Sequence, residues 1–385
     1  MNKAPSLAGL FLTFLRLGLT AFGGPAMVAH IREMAVARHK WLDDGTFKDG
    51  VVLCQAIPGA SAMQTAAYVG LRASGVAGAL SSFIGFGLPA LILMLILSSL
   101  YARYHAIPGV VSLFNGLQVV VVAIVANATC SYGKSTFKTY RDIILAMAAA
   151  VLYRAGVSPF TVIIGAAITG IVFLKHDRSI SASPAEETTF LRYAKQLSVL
   201  FIVLIMGLLT LYLADSRLLD LAALMMRIDL FAFGGGFASI PLMLHEIVSV
   251  RGWMDSKTFM DGIALGQVTP GPIVITSTFV GYMLYGMPGA IIATIAIFTP
   301  SFLMVIALTP VMDRLKTSPY FLGATKGILA SFVGLLFFVT VKFALAVPWD
   351  LMRGLLGIAA FAALYRKVDI LYVVLTAAVV SLLIF

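Results

Sequence analysis

Two arginines sit where arginine is costly. Arg16 lies near the middle of an apolar run at 7–29, and Arg227 holds the matching place in a run at 218–240. At the centre of a bilayer each would cost at least ~2.5–3.5 kcal/mol on insertion scales, so each needs a partner, a water-filled cavity or an anion. As a pair they point to a central anion site; singly, each could also snorkel to an interface or meet a local carboxylate. Asp229 is the acid nearest Arg227, but residues two apart on a helix do not share a face. Its counterpart is Gly18, so a role for Asp229 as a buried proton-coupling acid would belong to one half alone.

Glycine and proline supply the second element of such a site. Phe22-Gly23-Gly24-Pro25 and Phe233-Gly234-Gly235-Gly236 each interrupt or end a helix, since glycine costs about 1 kcal/mol and proline about 3 kcal/mol there. Pro58-Gly59 and Pro270-Gly271-Pro272 do the same. Broken helices survive at membrane depth where they line a cavity. A helix that restarts after the break offers unpaired N–H groups and the positive end of its dipole, which favours anions without any charged side chain. Gln55 and Gln267 precede Pro58 and Pro270 by three residues and can donate amide hydrogens to an oxyanion. The same glycines would equally permit close helix packing.

Between these breaks, 30–49 carries His30, Glu33, Arg38 and Trp41, and its counterpart 241–261 carries His245, Glu246, Arg251 and Trp253. Both stretches read as amphipathic segments along the interface, anchored by tryptophan at headgroup level. Asp49 and Asp261, identical in the two halves, stand just before the second breaks, and capping of the following helix suits them better than proton handling. Glu33, Asp49, Asp229, Glu246 and Asp261 are the acids open to ion coupling.

The elements that must position these groups come in two copies. With Trp41 aligned on Trp253, ten of the nineteen positions in WLDDGTFKDGVVLCQAIPG and WMDSKTFMDGIALGQVTPG are identical. RLGLTAFGGP at 16–25 likewise matches RIDLFAFGGG at 227–236, and the likeness runs on to Pro89 and Pro300. The chain is a fused tandem duplication. Such duplications are the usual frame of secondary transporters, in which the substrate site lies between repeats.

Composition sets the surroundings. The 385 residues are 60% hydrophobic and 11% charged, against roughly 25% charged in a soluble domain, which excludes a soluble globular protein. Apolar runs fall at 7–29, 50–71, 75–101, 107–130, 142–153, 155–174, 195–214, 218–240, 262–283, 286–311, 323–347, 350–364 and 368–385. The expected fold is an all-α polytopic membrane protein of two homologous repeats, with about 10–13 transmembrane helices and Gly/Pro-broken segments. Residues 1–174 form the first repeat, 175–194 a polar linker, 195–217 an extra linking helix and 218–385 the second repeat. Seven true crossings before residue 218 would invert the second repeat, whereas a re-entrant 50–71 would leave the halves parallel. Loop charge favours inversion, because thirteen crossings put most Lys and Arg on one side, Arg251 and Lys257 included. One loop dissents: 30–49, with Arg32, Arg38, Lys40 and Lys48, would lie on the other side.

The net charge of +10 is met by cytoplasmic loops, so no nucleic-acid partner is invoked. Cys54 and Cys130 make no disulfide framework. There is no histidine pair in zinc spacing, no GxSxG and no phosphate-binding loop, so neither a metal, a cofactor nor an intramembrane enzyme is expected. Transport would then run on an ion gradient or on the substrate's own.

FGGP, the His30/Trp41 stretch and IPG in the first half, then FGGG, the Trp253 stretch, QVTPGPI and TFVGY in the second, resemble the chromate ion transporters of the CHR family in their long two-domain form. The resemblance covers nearly the whole chain, both repeats and their order. It implies a multi-pass carrier of the bacterial inner membrane that exports chromate and so gives chromate resistance; some similar members are suspected to handle sulfate or other oxyanions. By that resemblance Arg16, Phe22, Gly23, Gly24, Pro25, Pro58, Gly59, Arg227, Phe233, Gly234, Gly235, Gln267, Pro270, Gly271 and Pro272 occupy the motif positions expected to matter. Ala60 departs from the Pro-Gly-Pro common in the family, which bears on the stiffness of that break. Chromate and sulfate are both tetrahedral dianions, which arginines and helix N-termini can strip of water. Proton coupling and pairing as a homodimer in the lipid bilayer are both compatible with this reading.

Overall fold

The computed structural model describes residues 5–20, 24–173 and 187–385, with side chains except at 24–26, 187–194, 313 and 316. Phe22, Gly23 and most of the linker at 175–194 lie outside the described residues.

The first repeat opens with α1 (Leu7–Thr20), whose buried face is Leu10, Phe14 and Gly18, four residues apart. Gly18 lets α1 lie on the backbone at Phe86, since a Cβ there would sit 2.4 Å from the Phe86 carbonyl oxygen. After the FGGP break, α2 (Gly24–Arg32) and a π-helical turn at Glu33–Arg38 bring the chain back: Trp41 stacks on Phe14. The run 7–29 therefore turns back rather than crossing.

The next helix, α3 (Asp44–Ala56), is capped by Asp43, which accepts from the Thr46 backbone N–H. It stops at Pro58-Gly59, and α4 (Ser61–Tyr104) then runs antiparallel to it, with Tyr68 against Gly50 and its hydroxyl donating to the Thr46 carbonyl. Segment 50–71 is thus a re-entrant hairpin with its tip at Pro58-Gly59. At Ser74-Gly75, where Gly75 has φ +68°, α4 folds back on itself; Gly70 and Gly78 touch across the bend, and only the limb beyond it crosses the membrane. Then α5 (Pro108–Thr136) returns, and α6 (Tyr140–Arg154) with α7 (Pro159–Phe173) forms a short hairpin.

Two full crossings leave the first repeat on the side where it began. Helix α8 (Glu187–Ala214) carries the chain across, so the second repeat starts from the opposite face. Its elements repeat the first set: α9 (Ser216–Phe231), a 3₁₀ turn at Gly236–Ala238, α10 (Ser239–Met243), a π-helical turn at Leu244–Val250, and α11 (Ser256–Val268). They continue through α12 (Thr276–Leu308), bent at Tyr285-Gly286, then α13 (Met312–Thr317), α14 (Pro319–Ala346), α15 (Leu351–Tyr365) and α16 (Ile370–Ile384). Contacts along α4 fix the inversion. Ala90 meets Gly271 at the tip of the second hairpin, and Tyr101 further along meets Asp261 and Phe279 in its limbs. The crossing limb of α4 therefore runs toward the open end of the second hairpin and away from that of the first, so the halves are inverted although 50–71 is re-entrant; the equally re-entrant 7–29 restores the parity.

Among the described residues, five helices are long and apolar enough to cross: 61–104, 108–136, 195–214, 273–311 and 319–346. Most of the other apolar segments fold as shorter helices, paired into hairpins. The interface placement expected of 30–49 and 241–261 gives way to limbs that pack inward: Met34, Ala35, Leu242, Met243, Leu244 and Ile247 are buried. The dissenting loop is accounted for too, because 30–49 now shares a face with Lys138 and Arg141, while Arg251 and Lys257 move to the other. Asp49 and Asp261 lie inside α3 and α11; the caps are Asp43 and Asp255, the residues still in extended conformation where each helix starts.

The two repeats share one core. The α6–α7 hairpin of the first packs on α14 of the second, with Gly334 against the Ala146 carbonyl and Gly327 against the Ala166 carbonyl. In return α15 and α16 pack on α5, with Gly116 against Ser381. Small residues at these crossings let backbones approach where lipid supplies no hydrophobic drive.

Candidate functional site

Each hairpin tip packs against the other repeat. Gly59, with φ +113°, donates its N–H to the Ala232 carbonyl, tying the first tip to the second repeat's FGGG break. Gly271, with φ +123°, stands against Ala90. Both positions need a left-handed backbone with a neighbour at close range, which only glycine tolerates.

A cavity of about 1170 Å³ opens beside the tips. Its wall includes Gln55, Gly234, Gly235, Gln267, Gly271 and Pro272 from the sequence-derived set, drawn from both repeats. Three helical segments begin there, at Ser61, Gly236 and Ile273. Their free N–H groups and dipole ends make the wall electropositive. Arg32 and Lys48 line the cavity toward one face, and no Asp or Glu is among its described lining residues. Both cations pair with Asp44, which lies just outside. Hydrogen bonds from Lys48 and then Arg32 hold the Asp44 carboxyl below the usual aspartate range. The Gln267 Nε2 is buried without a hydrogen-bond partner.

The remaining sequence-derived residues lie elsewhere. Arg16 is exposed on the side of α1 away from its buried face. Arg227 covers the Phe160 ring at 3.9 Å and stands 3.6 Å from Glu246. Neither arginine lines the cavity. Pro58 is buried behind the tip, its carbonyl accepting from the Gln64 amide. Phe233 and Pro270 flank the wall without lining it, and the backbone of Gly24 and Pro25 opens α2. Glu33 pairs with Arg38 at the surface.

Two buried acids are engaged across the repeat boundary or beside it. Asp229 accepts the Ser301 backbone N–H at 2.7 Å, a donor within one turn of Pro300. Asp261 accepts from Tyr101 Oη and from Gln118 Nε2, both at 2.8 Å, so one carboxylate of the second repeat holds α4 and α5 of the first. All three side chains are buried. This trio lies toward the face opposite Arg32 and Lys48.

Sequence reasoning passed over Ser61, Tyr132 and the α5 residues Asn127, Ser131 and Ser135, which all line the cavity. Their signal was present: Asn127, Ser131 and Ser135 recur every four residues and so share one helix face.

An inverted duplication whose broken segments wall an electropositive cavity has the build of a membrane transporter. The chain belongs to the chromate transporter family, whose model matches residues 8–171 and again 219–382. It is 45% identical over 384 residues to an uncharacterized transporter of Methanocaldococcus jannaschii, covering 99% of this chain and 95% of that protein. It is also 28% identical to the chromate transport protein of Cupriavidus metallidurans over 99% of this chain and 94% of that one. To the chromate transport protein of Pseudomonas aeruginosa it is 28% identical, over 98% and 92%. No solved structure matches the chain.

Proposed function

We propose that the protein carries chromate out of the cytoplasm by alternating access between its two repeats, and so confers chromate resistance. The observation that carries this reading is the cavity itself: both repeats wall it, cations stand at its mouth, and its described lining holds no acid. A hydrated dianion is drawn in by Arg32 and Lys48 and passed to the neutral donors at the tips, where protein N–H and O–H groups replace its water.

Orientation follows from basic residues. The face with the mouth carries Arg32, Arg38, Lys40, Lys48, Arg72, Lys138, Arg141 and Arg314, the opposite face Arg103, Arg217, Arg251, Lys257 and Arg353. The positive-inside rule makes the richer face cytoplasmic. The cavity then loads from the cytoplasm while the Asp261–Tyr101–Gln118 bonds keep the outer face shut; release requires those bonds to part. The test is flux of chromate and sulfate in inside-out vesicles holding the full chain, with and without a proton gradient, each anion competing against the other. Saturable chromate accumulation that sulfate inhibits weakly is expected. Absence of chromate flux, or a clear preference for sulfate, would overturn the substrate assignment.

A further inference from the structure

Within the cavity one spot is bracketed by hydroxyls. Gly235 has φ +97° and no side chain, and the point where its Cβ would stand lies 3.5 Å from Ser61 Oγ and 3.6 Å from Tyr132 Oη. Ser61 opens α4 and Tyr132 belongs to α5, both of the first repeat, whereas Gly235 comes from the second repeat's break. The Tyr132 ring is fixed edge-on against Phe332, at 5.2 Å, and against Phe237, so its hydroxyl has a defined aim. Neither hydroxyl meets a hydrogen-bond partner among the described residues, whereas Thr269 and Ser135 in the same lining close bonds to their own helices; Ser131 and Thr136, also in the lining, are likewise without a partner among the described residues, but it is Ser61 and Tyr132 that bracket the point beside Gly235. The unpartnered Gln267 amide stands in the same wall. A buried donor such as the Gln267 amide is costly unless something accepts from it, and the partly exposed Ser61 and Tyr132 hydroxyls are free to donate to a ligand in the cavity.

We propose that Ser61 and Tyr132, closing over Gly235, are the hydroxyls that hold the tetrahedral oxyanion in the cavity. The inference rests on the transport reading above and locates its binding point. The donors here are neutral and the charges stand apart at the mouth, so the site suits a ligand that accepts hydrogen bonds on every side, as chromate and sulfate do. Glycine at 235 keeps the spot vacant, because any side chain would project into it.

The test uses the full chain, purified and reconstituted, as wild type, Ser61→Ala and Tyr132→Phe. Half-saturation and maximal rate are measured for chromate and for sulfate flux, and stabilisation of the detergent-solubilised protein against heat is measured with each anion. Each variant is expected to raise the half-saturating concentration about tenfold or more, as loss of a hydrogen bond to a charged group does, with the maximal rate within about twofold. The anion-induced stabilisation should shrink in step while the melting point without anion stays put. A shift for both anions assigns the hydroxyls to the shared tetrahedral shape, and a shift for chromate alone assigns them to its recognition. Wild-type half-saturation in both variants, or a loss of maximal rate alone, overturns the inference. If the wild type moves neither anion, the transport reading falls; the binding point still stands if the anions stabilise the wild type and not the variants, and falls if they stabilise neither or all.

Discussion

Removing the Tyr101 hydroxyl should unlatch the outer face. Tyr101 Oη and Gln118 Nε2 each donate to the Asp261 carboxylate at 2.8 Å, and the three side chains are 8%, 5% and 6% exposed. When that face opens, Asp261 meets water, so these bonds count only in the closed state. One hydrogen bond to a charged group is worth about 1.5–3 kcal/mol. Tyr101→Phe should therefore shift the ratio of outer-open to outer-closed molecules about ten- to a hundredfold, at 1.4 kcal/mol per factor of ten. The readout is a cysteine placed at Leu117, which is 4% exposed beside Gln118 on α5, in a chain with Cys54 and Cys130 replaced by alanine. Labelling by a membrane-impermeant maleimide added outside should be slow with Tyr101 present and faster by that factor in Tyr101→Phe. Equal labelling rates in the two backgrounds would refute the latch.

Asp229→Ala should strand the buried Ser301 N–H and cost about 1–3 kcal/mol, lowering the melting point of the purified protein. Asp229→Asn keeps an acceptor and should retain most of that stability; flux measured against pH in the Asn variant then reads whether a titrating proton matters at all. Asp44→Asn removes the acid that pairs Arg32 and Lys48 at the mouth. It should lower half-saturating chromate about two- to threefold at low ionic strength, with the effect gone at ~0.5 M salt. Because the Asp44 carboxyl is held below the usual range, its pairs persist as pH falls through the ordinary aspartate range and part only below it, so wild-type capture should not rise at mildly acid pH. Gly334→Val would drive a side chain into the Ala146 carbonyl, 2.0 Å from its Cβ position, and should cost about 1–3 kcal/mol or more, read as a lower melting point and poorer yield.

The duplication and its four breaks were legible because glycine and proline act locally and leave the same mark in both halves. The second half's two breaks line the cavity through Gly234, Gly235, Gly271 and Pro272, whereas Pro58 and Gly59 of the first half do not, and Gln55 and Gln267 line it from both halves. The course of the chain was less legible. Pro58-Gly59 marks a break in 50–71, but a break alone does not say whether the chain turns back there or continues across as a kinked span. Arg16 and Arg227 illustrate the same limit. A position in the middle of an apolar run does not say which way a side chain points, and Arg16 is two residues from both Phe14 and Gly18, hence off the face they bury. The Tyr101–Asp261 bond joins residues 160 apart in sequence, a pairing that no local pattern announces.

The latch also exposes where the two halves have diverged. With Trp41 aligned on Trp253 the counterpart of Asp261 is Asp49, and with Pro108 aligned on Pro319 those of Tyr101 and Gln118 are Met312 and Leu329. The acid is kept, but neither Met312 nor Leu329 carries a strong donor, and Leu329 instead lines the open cavity. A transporter made of two identical inverted repeats would close either face with the same contacts and favour neither. Here one face closes through two hydrogen bonds to a buried carboxylate, while on the other the same two positions offer only apolar contact. Under the proposed alternating-access reading, the substitutions bias the empty carrier toward the state in which the outer face is shut and the basic mouth is open. For an exporter that is the state that waits for cargo.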